Sequence, residues 1–270
     1  YIRIIDYKSS VKNIELNSVY AGLQLQLLTY LDAACKEEDV LPAGVLYFNL
    51  IDPIIKSSKN MSEEDIENEI RKKFKMQGLI LAAGMGLRLG EHTKQKPKCM
   101  LEINGEKLIE NQINALKNAG INKVVIVCGH KKDVLKEFVS NRFKDTEITF
   151  IDNDNYKTTN NIYSLFLAKD YLAKEDIVLI ESDLIFEPKL IKEIVEEQAE
   201  NIVAVSKYKS CMDGTVVTIN NKDNTIKQFY GKKEFDDNNM DNYYKTINIY
   251  KLNKDFCSTL YIPCLASYIK

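Results

Sequence analysis

From Gly78 onward the chain repeats one unit, a short apolar run followed by a stretch with helical periodicity. GLILAA (78–83) opens the series, a glycine-rich segment follows, and KLIENQINALKNAG (107–120) reads as a helix ended by Gly120. Next come strand KVVIVC (123–128), helix KKDVLKEFVSNRF (131–143), strand EITFI (147–151) and helix NIYSLFLAKDYL (161–172). Strand DIVLIE (176–181) and helix PKLIKEIVEEQAE (188–200) complete it, with Pro188 suited to the first helical turn. Apolar strands separated by single helices indicate a parallel sheet covered by helices on both faces. Beyond Asn201 the rhythm changes to short strands, IVAVSKY, GTVVTIN, TIKQFY and YKTINIYKL, with a polar loop at 232–242. The expected class is α/β, with a mixed, mainly parallel sheet.

Bulk properties exclude several classes. Hydrophobic residues make up 45% and charged residues 28%, as in ordinary globular chains. No apolar run approaches the roughly 18 residues of a membrane span, so no membrane partner is expected. Six cysteines contain no C-x-x-C pair, which argues against a zinc site or a disulfide framework and for a reduced, cytoplasmic setting. Residues 1–75 hold 10 Lys and Arg against 12 Asp and Glu, and the remainder hold 27 against 27. Neither part has the basic excess of a nucleic-acid binder, so nucleic acid is not an expected partner. The chain opens on YIRIID, without an initiator Met, and is expected to be a fragment at that end.

The chemistry concentrates in LAAGMGLRLGEHTKQKPK (81–98). Glycines leaving a strand let the backbone approach a phosphate, with N–H groups aimed at its oxygens. Arg88 and Lys98 add the positive charge that a triphosphate demands. A two-glycine loop alone is more often an ordinary turn. This one fits neither G-x-G-x-x-G, since residue 89 is Leu, nor the Walker pattern, since no G-K-[ST] follows. IESDLIF (180–186) places Asp183 just past a strand end, where ligands collect in open α/β sheets. A carboxylate there suits Mg²⁺, a hard cation that takes oxygen ligands, although a turn or cap is the plainer role for a single Asp. His92 and His130, the two histidines, are expected to be structural or solvent-exposed.

L-A-A-G-x-G-x-R-L followed by K-P-K resembles the signature of the nucleotidyltransferases that share a Rossmann-like fold with the sugar-nucleotide and molybdenum-cofactor enzymes. TTNNIYSL (158–165) resembles the base-proximal segment of phosphocholine and 2-aminoethylphosphonate cytidylyltransferases. KYKSCMDGTVV (207–217) and DNYYKTINIYKL (241–252) resemble the 2-aminoethylphosphonate branch, and the likeness runs from Met76 to Lys270. The resemblance implies that Ala82, Ala83, Gly84, Gly86, Asn160, Asn161 and Ser164 bind CTP, that Arg88 and Lys98 are catalytic, and that Asp183 holds Mg²⁺. It further implies that Asp213 meets an acceptor ammonium and that Lys207 or Lys245 meets its phosphonate or phosphate. For those three a solvated charge or a turn is the alternative. An anionic acceptor oxygen needs no general base to attack the α-phosphorus of CTP, in keeping with the lack of any evident Ser–His or Cys–His pair. A sugar-1-phosphate acceptor is the alternative within the superfamily. Members continue past the position of Lys270 with further acidic residues, so this domain (76–270) is expected to be C-terminally truncated and its metal to be held by Asp183 and little else.

Residues 1–75 read differently. Asp6 and Lys8 close the strand IRIID on one face, and Gln26 and Tyr30 share a helix face at i, i+4. A carboxylate and a lysine so placed can bind Mg²⁺ and orient a water, although a surface pair is the commoner outcome. D-Y-K-S-S and Y-A-G-L-Q-L-Q-L-L-T-Y-L resemble the PD-(D/E)XK nuclease domain of the AddAB-type helicase–nucleases. That domain also needs an upstream acidic residue and iron–sulfur cysteines. Asp6, Lys8, Gln26 and Tyr30 are therefore expected to be a non-cleaving remnant, joined at Met76 to the second domain as a chimera. The alternative is a fragment of an ATP-dependent helicase/deoxyribonuclease.

Overall fold

A computed structural model describes residues 76–212, 214–231 and 237–269, all within the unit Glu63–Lys270. Asp6, Lys8, Gln26, Tyr30 and Asp213 lie outside the described residues.

The expected alternation is present. Strand β1 (Met76–Ala82) leads through the glycine loop and a small hairpin, β2 (Glu102–Ile103) and β3 (Glu106–Lys107), into helix α1 (Leu108–Asn118). Then follow β4 (Lys123–Cys128), α2 (Lys132–Arg142), β5 (Glu147–Asp152), α3 (Asn161–Leu167), α4 (Lys169–Leu172), β6 (Asp176–Glu181) and α5 (Lys189–Glu196). Strands β7 (Ile202–Lys207), β8 (Val216–Ile219), β9 (Ile226–Tyr230) and β10 (Tyr244–Leu252) come next. The described chain ends in helical structure, α6 (Lys254–Phe256), a π turn and α7 (Ile262–Ile269). The hairpin β2–β3 and this last helical stretch were not foreseen from the pattern, since both are short or lack a polar face.

The sheet order is β5-β4-β1-β6-β10-β8-β9, with β7 paired to β10. Strands β5, β4, β1 and β6 run parallel, and β10 joins β6 antiparallel. The chain moves from β1 outward to β4 and β5, then crosses to the other side of β1 for β6. The sheet therefore has a switch point beside β1, where crevices form at the carboxyl ends of the strands.

Alternation along each strand builds two cores. Ile80, Ile126, Val178 and Ile180 face α1, α2 and α5 through Ile113, Leu116, Leu135 and Ile191. Their neighbours Leu79, Leu81, Val125, Val127 and Leu179 face α3, α4 and α7 through Leu165, Leu172 and Leu265. Because side chains on a strand alternate faces, continuous apolar runs such as GLILAA are what a doubly covered strand requires. Gly78 allows α1 to lie close on the sheet, since a Cβ there would sit 2.5 Å from Leu116 Cδ1. Among the described residues no helix is long and apolar enough to cross a membrane.

Candidate nucleotide-binding site

The carboxyl ends of β1 and β6 open into a cleft of about 490 Å³ lined by the glycine loop, Lys98, Tyr156, Asn161, Glu181 and Asp183. Ala82 and Ala83 are buried and fix the loop's start on the sheet. At Gly84 a Cβ would point into open space, so the absence of a side chain there serves approach from outside. Gly86 is in the left-handed region (φ +62°), and a Cβ on it would come within 3.1 Å of Thr93 and 3.3 Å of Lys98. Its carbonyl starts a 3₁₀ turn by accepting from Leu89 N–H at 2.9 Å. Arg88 is exposed on the cleft wall.

Lys98 follows the buried Pro97, and its Nζ lies 2.6 Å from Asp183 Oδ2. The two side chains are 33% and 36% exposed, so the pair contributes no more than ~1 kcal/mol. The Asp183 turn is built from helix α1. Gln112, fully buried, donates Nε2–H to the carbonyls of Leu184 (2.9 Å) and Glu181 (3.3 Å), while Asn111 Oδ1 accepts from Phe186 N–H (3.4 Å).

Glu181 completes this centre and was not singled out from sequence. Its two oxygens accept from the Asn161 amide (2.8 Å) and the Asn248 amide (3.0 Å). Burial raises its pKa, the Asn161 hydrogen bond opposes that rise, and the Asp183 charge adds to it. Asn248 reaches it because β10 is irregular between Thr246 and Tyr250, with Asn248 at φ +57°. The available signal was Glu-x-Asp at a strand end, two carboxylates at the i, i+2 spacing that puts them on one face.

The other expected site residues divide. Asn161 lines the cleft. Asn160 caps α3, its Oδ1 accepting from Ile162 and Tyr163 N–H, and Ser164 is buried against the Asn153 amide (3.1 Å). Both shape the segment that carries Asn161, and neither lines the cleft. Lys207 is turned to the Asp241 carbonyl and lies over the Tyr244 ring, away from the cleft wall. Lys245 donates to the Thr246 carbonyl (2.6 Å) and contributes a favourable charge to Glu181. His92 is exposed and His130 is hydrogen-bonded, as expected of structural or surface residues.

No cluster of three or more His, Cys, Asp or Glu that could hold a metal occurs among the described residues. Asp183 and Glu181 are the carboxylates that line the cleft. As oxygen donors on one strand end they fit a hard divalent cation that completes its shell with water and phosphate. Cys128 and Cys99 are poorly suited to act as nucleophiles: burial pushes the Cys128 thiol up to about 12 and the Cys99 thiol higher still.

The sequence profile of the MobA-like NTP transferase domain matches residues 78–229, more than half of the chain. The chain belongs to that family. The PD-(D/E)XK nuclease superfamily matches residues 1–100, so the two matches share 78–100, the stretch that forms β1 and the glycine loop. Among curated relatives, the CTP:phosphoglutamine cytidylyltransferase of Campylobacter jejuni is 37% identical over 137 residues, 49% of this chain and 53% of that protein. The CMP-5'-(3-aminopropyl)phosphonate synthase of Streptomyces rubellomurinus is 28% identical over 194 residues, 70% of this chain and 30% of that protein. An ATP-dependent helicase/deoxyribonuclease chain of Clostridium novyi is 57% identical over 88 residues, 30% of this chain and 8% of that protein. The chain thus spans from under a tenth to about half the length of these relatives. The solved CTP:phosphocholine cytidylyltransferase of Streptococcus pneumoniae shares the fold, with a TM-score of 0.59 at 21% identity over 72% of this chain and 78% of that one. The mainly parallel nucleotidyltransferase architecture and both family resemblances therefore stand.

Proposed function

We propose that residues 76–270 form a nucleotidyltransferase domain that moves a cytidylyl group from CTP to a small phosphonate or phosphate acceptor. The acceptor is of the 2-aminoethylphosphonate or phosphocholine type, and pyrophosphate is released. The observation that carries this reading is the meeting of the glycine loop, Lys98 and Asp183 in one cleft at the switch point. The cytidylyltransferases among the relatives favour CTP and a phosphorus-containing acceptor.

The chain's own groups divide the work. The open backbone at Gly84 admits the phosphates, and Arg88 and Lys98 offset the charge that gathers on the departing pyrophosphate. Lys98 exchanges its weak contact with Asp183 for the more highly charged triphosphate, which leaves the Asp183 carboxylate free. Asp183, with Glu181 nearby, would then hold Mg²⁺, whose part is to neutralise phosphate charge. The acceptor oxygen is anionic near neutral pH, so alignment of its attack matters more than proton removal. Asn161 and Asn248 hold the Glu181 side of the cleft rigid during that alignment.

The test is pyrophosphate release by the purified chain with Mg²⁺, CTP and each acceptor. Turnover is expected only when CTP and an acceptor are both present, and Arg88→Ala or Lys98→Ala should lower it by roughly 10²–10³-fold. Turnover with a sugar-1-phosphate and another nucleotide would replace the acceptor assignment. No turnover and no protection by any nucleotide would end the reading.

For residues 1–75 a second reading applies, carried by the 57% identity to a helicase/deoxyribonuclease chain. We infer a nuclease remnant bearing Asp6, Lys8, Gln26 and Tyr30, without cleavage of its own. The end of its family match, residues 78–100, is built into the transferase sheet and glycine loop. Mg²⁺-dependent cutting of DNA by the purified chain would overturn it.

A further inference from the structure

We propose that His130 is a positioning residue that clasps both ends of the phosphate-binding loop and so sets the affinity of the site for nucleotide. The proposal rests on the cytidylyltransferase reading only for the identity of that nucleotide.

His130 lies two residues beyond the end of β4, next to the loop that follows β1. Its backbone N–H donates to the carbonyl of Ala83, the residue that opens the loop, at 3.2 Å. Its ring Nε2 lies 2.8 Å from the carbonyl of Thr93, the residue that closes the loop's 3₁₀ turn. A carbonyl only accepts, so Nε2 carries the proton of this bond. One residue therefore holds the loop at both ends.

Contacts beyond His130 carry the restraint inward. Thr93 is buried, and its hydroxyl lies 3.1 Å from the Gly86 carbonyl and 3.3 Å from that of Gly90. Gly86 in turn packs beside Lys98. On the other side, the His130 ring packs against Tyr156, itself on the cleft wall, with centroids 6.0 Å apart. The approach is too close for a side chain on the preceding residue. A Cβ at Gly129 would stand 2.7 Å from the Ala83 carbonyl oxygen and 2.7 Å from Tyr156 Cβ.

Between these anchors much of the loop faces solvent, and its internal bonds converge on Thr93 and Gly86. Leu87 is 75% exposed, Arg88 is exposed, and Gly84 and Gly90 have open space where a Cβ would be. Ordering such a segment on binding costs backbone entropy. A clasp that already orders it leaves more of the phosphate interaction to appear as affinity. The effect belongs to nucleotide binding and not to the acceptor.

Two variants separate the hydrogen bond from the packing. His130→Phe keeps a ring beside Tyr156 and removes the donor, whereas His130→Gln restores a donor at similar reach. Calorimetry with CTP and Mg²⁺, KM values for CTP and acceptor, and hydrogen exchange of residues 84–92 without nucleotide supply the readouts. His130→Phe is expected to bind CTP about tenfold more weakly, the loss of roughly one partly buried hydrogen bond, with the acceptor KM unchanged and loop exchange faster. His130→Gln should lie near wild type on all three, and exchange in β5 should not move in either variant. Wild-type CTP affinity and loop exchange in His130→Phe would overturn the proposal. Equal impairment of the two variants would also overturn it, assigning the effect to ring packing. Failure of the wild-type chain to bind CTP would instead defeat the cytidylyltransferase reading, while loop exchange in His130→Phe would still decide the clasp.

Discussion

The two glycines of the loop should respond in opposite ways to the same added methyl group. At Gly86 the backbone sits at φ +62°, where an L-residue costs roughly 1–2 kcal/mol. The added Cβ also presses on Thr93 at 3.1 Å and Lys98 at 3.3 Å. For a domain of this size each kcal/mol moves Tm by about 2–4 °C, so Gly86→Ala should lower Tm by roughly 2–8 °C. At Gly84 a Cβ meets nothing within 4 Å, so Gly84→Ala should melt with wild type. That methyl would project where the phosphates must approach, and the loss should appear only with ligand present. At a hundredfold excess over Kd, CTP with Mg²⁺ should stabilise wild type by about 2.7 kcal/mol, and Gly84→Ala should lose most of that gain. Differential scanning fluorimetry with and without CTP reads both effects. Full nucleotide protection of Gly84→Ala would refute the reasoning, as would a wild-type Tm for Gly86→Ala.

Three other outcomes follow from the geometry. Burial, and then the Asp183 charge, make Glu181 hold its proton to higher pH in the folded protein than in the unfolded chain, against the Asn161 and Asn248 hydrogen bonds. Stability attributable to this group is therefore present below the ordinary carboxylate pKa of about 4.3 and declines as pH rises through the raised value; urea denaturation across that range should show a shallower decline in Glu181→Gln. Gly78→Ala should cost about 1–3 kcal/mol by crowding Leu116, and less in a Leu116→Ala background, a coupling that a double-mutant cycle measures. Gln112→Leu removes the amide that supports the Glu181–Leu184 turn, and should weaken the apparent Mg²⁺ dependence of turnover more than the KM for acceptor.

Much of the site was legible because its parts are local. The glycine loop and Asp183 each follow an apolar run, Arg88 and Lys98 fall in the segment that continues the loop, and the cleft gathers all of them. Asn160 and Ser164 were legible as members of a segment but not in their roles, since capping and burial depend on where α3 packs. Lys207, an expected acceptor contact, donates to the Asp241 carbonyl and lies over the Tyr244 ring, partners that no local run of residues announces.

Periodicity in the linear chain was enough to determine the α/β class and the doubly covered strands, because each depends on residues a few positions apart. Tertiary structure alone decided which distant groups meet. Lys98 and Asp183 are 85 residues apart, Asn248 and Glu181 are 67 apart, and His130 reaches across 37 residues to Thr93. These contacts arise from strand order and from one irregularity in β10, and neither is written in any local run of residues.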